Sequence, residues 1–305
     1  MSLPERIVVT SPDAEVKWIS SKNLENSGSS LEFPMTVLYD AAGQQCWITV
    51  TEEFSTRSLL LDGCEEGAMR LDSEEPVFAY LWFHKCSHLA PSPLPLSPRG
   101  GGRGEGDSPI RRALVLGAGA FTAAKCLALD YPQADIDVVD LEPALEPVAR
   151  KFFRLDQVEF SRIRFYGMLA EEFLKTVSPG AYQFILDDLF DGFQHVPESA
   201  RNADHLRLLR AALSPGGICV KNVIWDPRSA NARVACSELR AAWELTFPNH
   251  LVLAMGNPER GHNVLLLAST AEDALTWPGA KERLASAGLP AQVLAGAITS
   301  SHLAR

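Results

Sequence analysis

The second half of the chain alternates short apolar runs with segments of helical periodicity. The apolar runs predict strands at RALVLG, DIDVVD, IRFYG, YQFILDD and GICVKNV. Between and after them, apolar residues at helical spacing predict helices near 121–130, 144–154, 169–177, 199–213 and 230–245. Two last runs, HLVLAMG and HNVLLLAS, are separated by a short loop that suits an antiparallel pair. The alternation indicates a mostly parallel sheet with helices on both faces.

The first 90 residues follow a different pattern, in which strands dominate. MTVLYD and QCWITVTEE predict two strands around a glycine-containing turn, and TRSLLLDG predicts a third strand that ends at Asp62 and Gly63. Apolar residues at positions 77, 78, 81 and 82 then predict one amphipathic helix. We therefore expect a small β-rich domain over residues 1–90.

A segment rich in proline and glycine separates the two patterns. In PSPLPLSPRGGGRGEGD, residues 91–107, nine of the 17 residues are Pro or Gly and no apolar face exists. We expect a flexible insertion over residues 91–110, followed by the α/β domain over residues 111–305.

Composition narrows the class of protein. The chain has 305 residues, of which 46% are hydrophobic and 22% charged, and a formal net charge of −10. This charge disfavours general nucleic-acid binding and is compatible with a cationic substrate. The six cysteines lack metal-binding spacing, so no metal is expected. No apolar run approaches the roughly 20 residues of a membrane span, and the N-terminus does not resemble a targeting peptide, which predicts a cytoplasmic location.

A glycine turn and a carboxylate predict a nucleotide site. Gly117 and Gly119 fall where the first strand of the second half turns into a helix, so the backbone can approach a ligand closely. Asp140 ends the next strand, where a carboxylate can accept hydrogen bonds from ribose hydroxyls. Position 122, where NAD-binding folds have a third glycine, is threonine. The turn in LSPGG and the final strand pair favour an S-adenosylmethionine-dependent methyltransferase fold with seven strands over an NAD-dependent oxidoreductase.

Three aspartates crowd the end of one predicted strand, in YQFILDDLFDG. Carboxylates in such proximity repel one another and are costly to desolvate, so a cationic ligand at this strand end would stabilise them. Asp188 and Asp191 are the candidates for this role. Asp187 is offset by one residue and should point to the opposite face of the strand. The alternative is that these aspartates only cap the following turn.

Together, five segments resemble the spermidine synthases in order and spacing. They are TEEFSTRSLLLDG, ALVLGAGAF, VVDLEPALEPVARKFF, YQFILDDLFD and LSPGG. The resemblance implies a small N-terminal β-domain followed by a Rossmann-like domain. It also implies transfer of an aminopropyl group from decarboxylated S-adenosylmethionine to a small amine, with no metal, and it leaves a homodimer open.

The resemblance assigns roles to individual residues. Gly117, Gly119, Asp140 and Glu142 would bind the nucleoside of the donor. Asp188 would face the attacking amine, and the catalytic set would be completed by Asp191, which would also hold the amine end of the substrate. Tyr80 is a further candidate for contact with the substrate. Apart from the resemblance, the position of Trp225 after the fifth predicted strand is compatible with contact to the substrate and equally with packing in the core or on the surface.

The chain departs from the spermidine synthase pattern at four sites. The glycine turn continues as Ala120–Phe121, Met168 replaces an acidic residue after the third strand, and Leu81 and Trp82 follow Tyr80 in place of His and Glu. Glu66 stands where the family has glutamine. These changes leave S-adenosylmethionine-dependent methyl transfer and non-catalytic nucleoside binding as alternatives, and neither the donor nor the acceptor is decided by the sequence.

Overall fold

The chain forms two β-sheets in a computed structural model that describes residues 35–90, 110–191, 195–226, 228–255, 262–271 and 275–299. The predicted insertion at 91–110 lies outside the described residues except for residue 110, and the proposed domain boundaries stay predictions. Across the described ranges, no helix combines the length and apolar character that a membrane crossing requires.

The smaller sheet is antiparallel, with its four strands in chain order: β1 (Thr36–Ala42), β2 (Trp47–Glu53), β3 (Thr56–Leu61) and β4 (Cys64–Arg70). Asp62 and Gly63 make the tight turn between β3 and β4, both with positive φ. The sequence pattern did not predict β4, because its glutamates and glycine disfavour a strand. The predicted amphipathic helix is a 3₁₀ helix at Ala79–Leu89, which begins after positions 77 and 78.

The larger sheet has eight strands: β5 (Arg112–Leu116), β6 (Asp135–Asp140), β7 (Ile163–Gly167), β8 (Tyr182–Asp187), β9 (Leu213–Trp225), β10 (His250–Met255), β11 (His262–Ser269) and β12 (Ala297–Thr299). Their order across the sheet is β12-β10-β11-β9-β8-β5-β6-β7. Five strands from β7 to β9 are parallel, and the remaining neighbours pair antiparallel. This arrangement confirms the predicted fold class, with the short β12 added to the seven expected strands.

Helices cover the sheet near the predicted positions. Their bounds are α1 (Thr122–Asp130), α2 (Leu145–Phe152), α3 (Ala170–Thr176), α4 (Glu198–Arg201), α5 (Ala203–Ala212), α6 (Ala230–Thr246), α7 (Trp277–Ser286) and α8 (Ala291–Gly296). A second 3₁₀ helix spans Val158–Phe160. The helix predicted at 199–213 is divided at Asn202, whose side chain accepts a hydrogen bond from the backbone N–H of His205 at 2.9 Å.

Close backbone contact joins the two sheets. A Cβ atom on Gly67 of β4 would lie 2.5 Å from the backbone nitrogen of Ala120, so no larger residue fits there without movement. The Arg57 guanidinium of β3 donates to the backbone oxygen of Phe152 at 2.6 Å. One hydrophobic cluster includes residues of both sheets. As a result, β4 lies against the glycine turn that follows β5.

Candidate active site

A cavity of about 420 Å³ lies between the smaller sheet and the carboxyl ends of β5, β6 and β8. Its volume falls within the usual range of small-molecule sites. Seven of the eight residues that the sequence singled out line it: Tyr80, Gly117, Gly119, Asp140, Glu142, Asp188 and Asp191. Trp225 is the exception, because it ends β9 and packs against the hydrophobic cluster of the larger sheet instead of the cavity.

The glycine turn has a shape that only glycine accommodates. Gly117 has φ +90, and a Cβ atom there would collide with the backbone oxygen of Asp188. Gly119 has φ +46, and its Cβ atom would lie 2.8 Å from the backbone oxygen of Glu66. Both positions therefore bring the turn against β4 and the end of β8, and both line the cavity.

Asp140 sits at the end of β6 beside the glycine turn. Its carboxylate accepts hydrogen bonds from the backbone N–H groups of Ala118 at 2.8 Å and Glu142 at 2.9 Å. Burial raises the pKa of Asp140, although these N–H groups favour its charged form. Each carboxylate oxygen has a further lone pair, so the group can still accept from a ligand hydroxyl.

Glu142 lines the cavity, and its carboxylate also forms a hydrogen bond with the turn between β1 and β2, which is distant in the sequence. One carboxylate oxygen accepts from the backbone N–H of Gln45 at 2.6 Å, and the other accepts from Ala144 at 2.9 Å. A Cβ atom on Gly43 would lie 2.5 Å from the Glu142 carboxylate, so the turn between β1 and β2 packs directly onto it. Glu142 thereby fixes the smaller sheet over the cavity.

Asp188 is half-buried at the centre of the cavity wall. Its Oδ1 accepts from Asn222 Nδ2 at 2.8 Å, and its carboxylate also interacts with the Tyr80 hydroxyl. Burial, together with the charge of Asp187, raises the pKa of Asp188 to about 6, although the hydrogen bonds oppose the shift. A carboxyl group with this pKa can accept a proton near neutral pH.

Asn222 and Asn263 form a support that the sequence analysis did not single out. Asn263 Nδ2 donates to Asn222 Oδ1 at 3.0 Å, and Asn222 in turn donates to Asp188. Asn222 is only 1% exposed and lies beside the buried Lys221 in β9. An asparagine within a predicted core strand could have indicated a functional hydrogen bond, because buried polar groups need partners.

Asp187 lies on the other face of β8 and does not line the cavity. It is fully buried, with Lys221 Nζ at 2.7 Å and His205 Nε2 at 2.8 Å from its Oδ2. Burial alone would raise its pKa, but Lys221 and His205 lower the pKa of Asp187 to about 2. Asp187 is therefore one partner of a buried ionic cluster.

Asp191 lines the cavity and also forms hydrogen bonds with the backbone of His195. Its Oδ1 accepts from the backbone N–H of His195 at 2.9 Å, and its own N–H donates to the His195 oxygen at 2.8 Å. Part of the turn-capping alternative therefore applies to Asp191. It does not describe Asp188, whose side chain bonds to Asn222 and Tyr80.

The cavity wall is strongly acidic. The carboxyl groups that line it belong to Asp62, Glu66, Asp140, Glu142, Glu171, Asp188 and Asp191. None of the described lining residues is a lysine, arginine or histidine. The arrangement attracts cations, and like charges oppose anionic ligands. Among the described residues, no cluster of His, Cys, Asp and Glu is suited to hold a metal ion.

Comparison with known sequences relates part of the chain to a polyamine aminopropyltransferase. No protein-family model matches the chain. A polyamine aminopropyltransferase from Vibrio vulnificus strain CMCP6 is 27% identical over 134 residues, covering 42% of this chain and 44% of that relative. The match thus spans less than half the length of this curated relative.

Comparison with solved structures extends the similarity to most of the chain. A probable spermidine synthase from Corynebacterium glutamicum ATCC 13032 has a TM-score of 0.67 and 20% identity, covering 86% of this chain and 89% of that chain. A spermidine synthase in complex with the transition state analogue AdoDATO has a TM-score of 0.57 and 15% identity, with coverages of 78% and 74%. Human methyltransferase-like protein 13 in complex with SAH has a TM-score of 0.50 and 17% identity, with coverages of 71% and 91%.

These comparisons confirm two expectations from the sequence. The chain is spermidine-synthase-like in its aligned sequence and fold, and its larger sheet has the fold of S-adenosylmethionine-dependent methyltransferases. At these identities the structural neighbours show the fold alone.

Proposed function

We propose that this chain transfers an aminopropyl group from decarboxylated S-adenosylmethionine to a small amine. The observation that carries the proposal is the cavity wall, which has seven carboxyl groups and no cationic side chain among the described lining residues. The decarboxylated donor has a sulfonium and an ammonium group, and the acceptor brings further amine groups. Such ligands supply the positive charge that the wall lacks.

The acidic wall also bears on the choice of donor. S-adenosylmethionine has a carboxylate that its decarboxylated form lacks. Placed in this cavity, that carboxylate would face other carboxyl groups without a cationic side chain to compensate, and like charges in an enclosed site are unfavourable. The charge pattern therefore favours the decarboxylated donor.

The proposed nucleoside site is the glycine turn at Gly117 and Gly119. Asp140 would accept hydrogen bonds from the ribose hydroxyls, in addition to the two backbone N–H groups that it already bonds. Glu142 would act less directly, because both of its carboxylate oxygens already accept backbone hydrogen bonds. We assign it the role of holding the smaller sheet over the donor.

Asp188 is the proposed base. The acceptor nitrogen attacks the aminopropyl carbon that is attached to the sulfonium sulfur. A C–N bond forms at this carbon as its C–S bond breaks. The electron pair of the broken bond neutralises the sulfur, which leaves as the thioether methylthioadenosine. The proton lost by the attacking amine passes to Asp188, whose pKa of about 6 suits this exchange. Asn222 and Tyr80 orient the carboxylate, and Asp191 binds the cationic end of the acceptor.

A direct assay distinguishes the proposed reaction from methyl transfer. The purified protein is incubated with 1,4-diaminobutane and either donor, and the products are identified by mass spectrometry. We expect methylthioadenosine and an aminopropylated acceptor with the decarboxylated donor, and no product with S-adenosylmethionine. A methylated acceptor would instead support the methyltransferase alternative. Tight binding of methylthioadenosine without turnover of any donor would support non-catalytic nucleoside binding.

A further inference from the structure

A row of three hydrogen-bonded side chains runs from the cavity wall into the larger sheet. Asn222 lies on β9, and Asn263 lies diagonally across from it on the neighbouring β11, on the same face of the sheet. Asn263 Nδ2 donates to Asn222 Oδ1 at 3.0 Å, and Asn222 Nδ2 donates to Asp188 Oδ1 at 2.8 Å. Neither asparagine lines the cavity, so an effect of either one on the reaction must pass through Asp188.

The partners of Asp188 differ in kind from those of its neighbour Asp187. Lys221 bonds to Asp187 and can only donate, so it stabilises the ionised carboxylate alone. Asp188 instead bonds to the Asn222 amide and the Tyr80 hydroxyl, and each of these groups can donate or accept. Asp188 can therefore stay hydrogen-bonded with or without a proton, provided that its partners reorient.

Reorientation of Asn222 requires a partner that can reorient with it. An ionised Asp188 only accepts, so the Nδ2 group of Asn222 must face it. A protonated Asp188 can donate its O–H to Asn222 Oδ1, and the Nδ2 group then turns towards β11. Asn222 is only 1% exposed, so its Nδ2 group needs a partner within the protein. Asn263 is suited to this role, because its amide has an oxygen that can accept.

We propose that Asn222 and Asn263 are positioning residues whose amides reverse together when Asp188 takes up a proton from the acceptor. The inference rests on the proposed function, because that reaction cycles Asp188 between its two forms. Two hydrogen bonds are exchanged for two others. Before the reversal, Asn263 donates to Asn222, which donates to Asp188. After it, Asp188 donates to Asn222, which donates to Asn263, and no proton leaves either amide.

The acid strength of Asp188 places both of its forms within the working range of pH. Burial raises the pKa of Asp188 to about 6, although the hydrogen bond from Asn222 opposes the shift. The other ionisable groups that act on Asp188 are those of Asp187, Lys221, Tyr80 and Glu66. All of them stay in place when Asn263 is substituted. A change in this pKa that requires Asn222 therefore acts through the amides.

The first test follows the side-chain amides of the full chain by NMR, with asparagine labelled with nitrogen-15, between pH 5 and 8. The Asn263 signals should titrate together with Asp188, although Asn263 bonds to Asn222 and not to the aspartate. They should no longer respond in Asp188→Asn. Asn249 is the matched control, because backbone groups bond to both its Nδ2 and its Oδ1. Its signals should not change over this range.

A second test uses Asn263→Asp, which has nearly the same size as the parent residue. A carboxylate accepts but does not donate, so it would hold Asn222 in the reversed orientation and favour the protonated form of Asp188. We expect the pKa of Asp188, measured by NMR of carbon-13-labelled aspartate, to rise by about one pH unit. The rise should be clearly smaller when the same substitution is made in Asn222→Leu, where only the added charge acts.

Steady-state kinetics provide a further readout. With one acceptor for parent and variant, the protonation of the amine itself cancels from the ratio of their kcat/KM values. A rise of about one pH unit should lower kcat/KM of Asn263→Asp roughly tenfold at pH 5 and hardly at all at pH 8. Purely structural damage would lower it equally at both pH values. Thermal unfolding establishes that each variant is folded, and the NMR titration of the parent decides the matter if Asn263→Asp is not.

The possible failures are distinguishable. Asn263 signals that do not titrate overturn the reversal, and an equal rise of the Asp188 pKa with and without Asn222 shows that charge alone acts. Both results leave the proposed function intact. If the amides respond as expected and neither donor is turned over, the proposed function fails while the coupling of the amides to Asp188 stands.

Discussion

Asp187 and Asp188 are adjacent and chemically identical, yet the protein gives them opposite properties. The pleat of β8 directs one to a buried cluster and the other to the cavity. The pKa of Asp187 is lowered to about 2 by Lys221 and His205 despite burial, whereas burial raises the pKa of Asp188 to about 6. The two-residue periodicity of a strand was enough to predict opposite faces. The partners were not predictable, since Lys221 and His205 lie far away in the sequence.

Substitution of Asp188 should affect the chemical step. Asparagine keeps the shape and can still bond to Asn222, but it cannot accept the proton of the attacking amine. We expect Asp188→Asn to reduce turnover roughly 10²-fold or more. Asp191→Asn should mainly raise the Michaelis constant of the acceptor, because Asp191 contacts only its cationic end in the proposed arrangement. Steady-state kinetics separate the two effects.

The control for this pair of variants is stability. Asp188→Asn should lose less than about 1 kcal/mol of unfolding free energy, because Asp188 caps no helix or turn. If Asp188→Asn unfolds more readily while retaining full turnover, the aspartate is structural and is not the base.

Asp187 should be essential for stability, in contrast to what its crowding alone suggests. From the sequence, removing one of three clustered carboxylates would relieve repulsion and do little else. In the structure, Asp187→Asn would leave Lys221 buried without its counter-charge. We expect a loss of about 3–5 kcal/mol in the free energy of unfolding, measured by chemical denaturation. The matched control is Asp188→Asn, and an equal stability of the two variants would contradict the assigned cluster.

At the scale of elements, the hydrophobic pattern predicted the larger sheet well. All seven of its expected strands are present, because each is a short apolar run between turn residues. The smaller sheet was predicted less completely, since β4 contains CEEGAMR and shows no apolar alternation. The missed strand matters functionally, because it brings Glu66 to the cavity.

The docking of β4 against the larger sheet depends on an ionic contact. Glu74 accepts from Lys125 Nζ at 2.9 Å and pairs with Arg154 Nη1 at 2.8 Å. Lys125 is 1% exposed in α1, and burial lowers its pKa. The contact therefore connects the segment after β4 to the helix that follows the glycine turn.

Glu74→Gln should weaken this connection. Lys125 would lose its counter-charge while remaining buried, so we expect a loss of about 2 kcal/mol or more in the free energy of unfolding. The affinity for methylthioadenosine should fall as well, because the glycine turn is held between α1 and β4. Denaturant unfolding and isothermal titration measure the two effects. Glu75→Gln, at an exposed neighbouring position, is the control that should change neither.

At the scale of the whole molecule, the cavity exists only because the two sheets meet. Glu142 bonds to Gln45 across 97 positions in the sequence. Local patterns do not encode such contacts. The sequence analysis therefore named Glu66 only as a departure from the family pattern and did not predict that it faces the cavity. Aligned motifs predicted the order of the elements and seven of the residues that line the cavity. The acidic character of the complete wall became visible only in three dimensions.

The connection between the two parts of the chain can be tested with the segment 91–107. Its composition predicts little packing, while the residues beside it are anchored: Ala90 is 4% exposed and Ile110 is 1% exposed, both in the hydrophobic cluster shared by the sheets. Replacing 91–107 with a short Gly-Ser linker should leave the melting temperature and methylthioadenosine affinity nearly unchanged. The reason is that the entropy of loop closure depends only weakly on length, by about 0.6 kcal/mol for each twofold change.

Ile110→Ser provides the opposite control for this replacement. It places a hydroxyl group in the core at the end of the same connection, and it should lower the melting temperature clearly. Differential scanning calorimetry compares both variants with the parent. A large loss of melting temperature in the linker variant would mean that 91–107 packs against the rest of the chain. In that case the segment would itself help to hold the two sheets around the cavity.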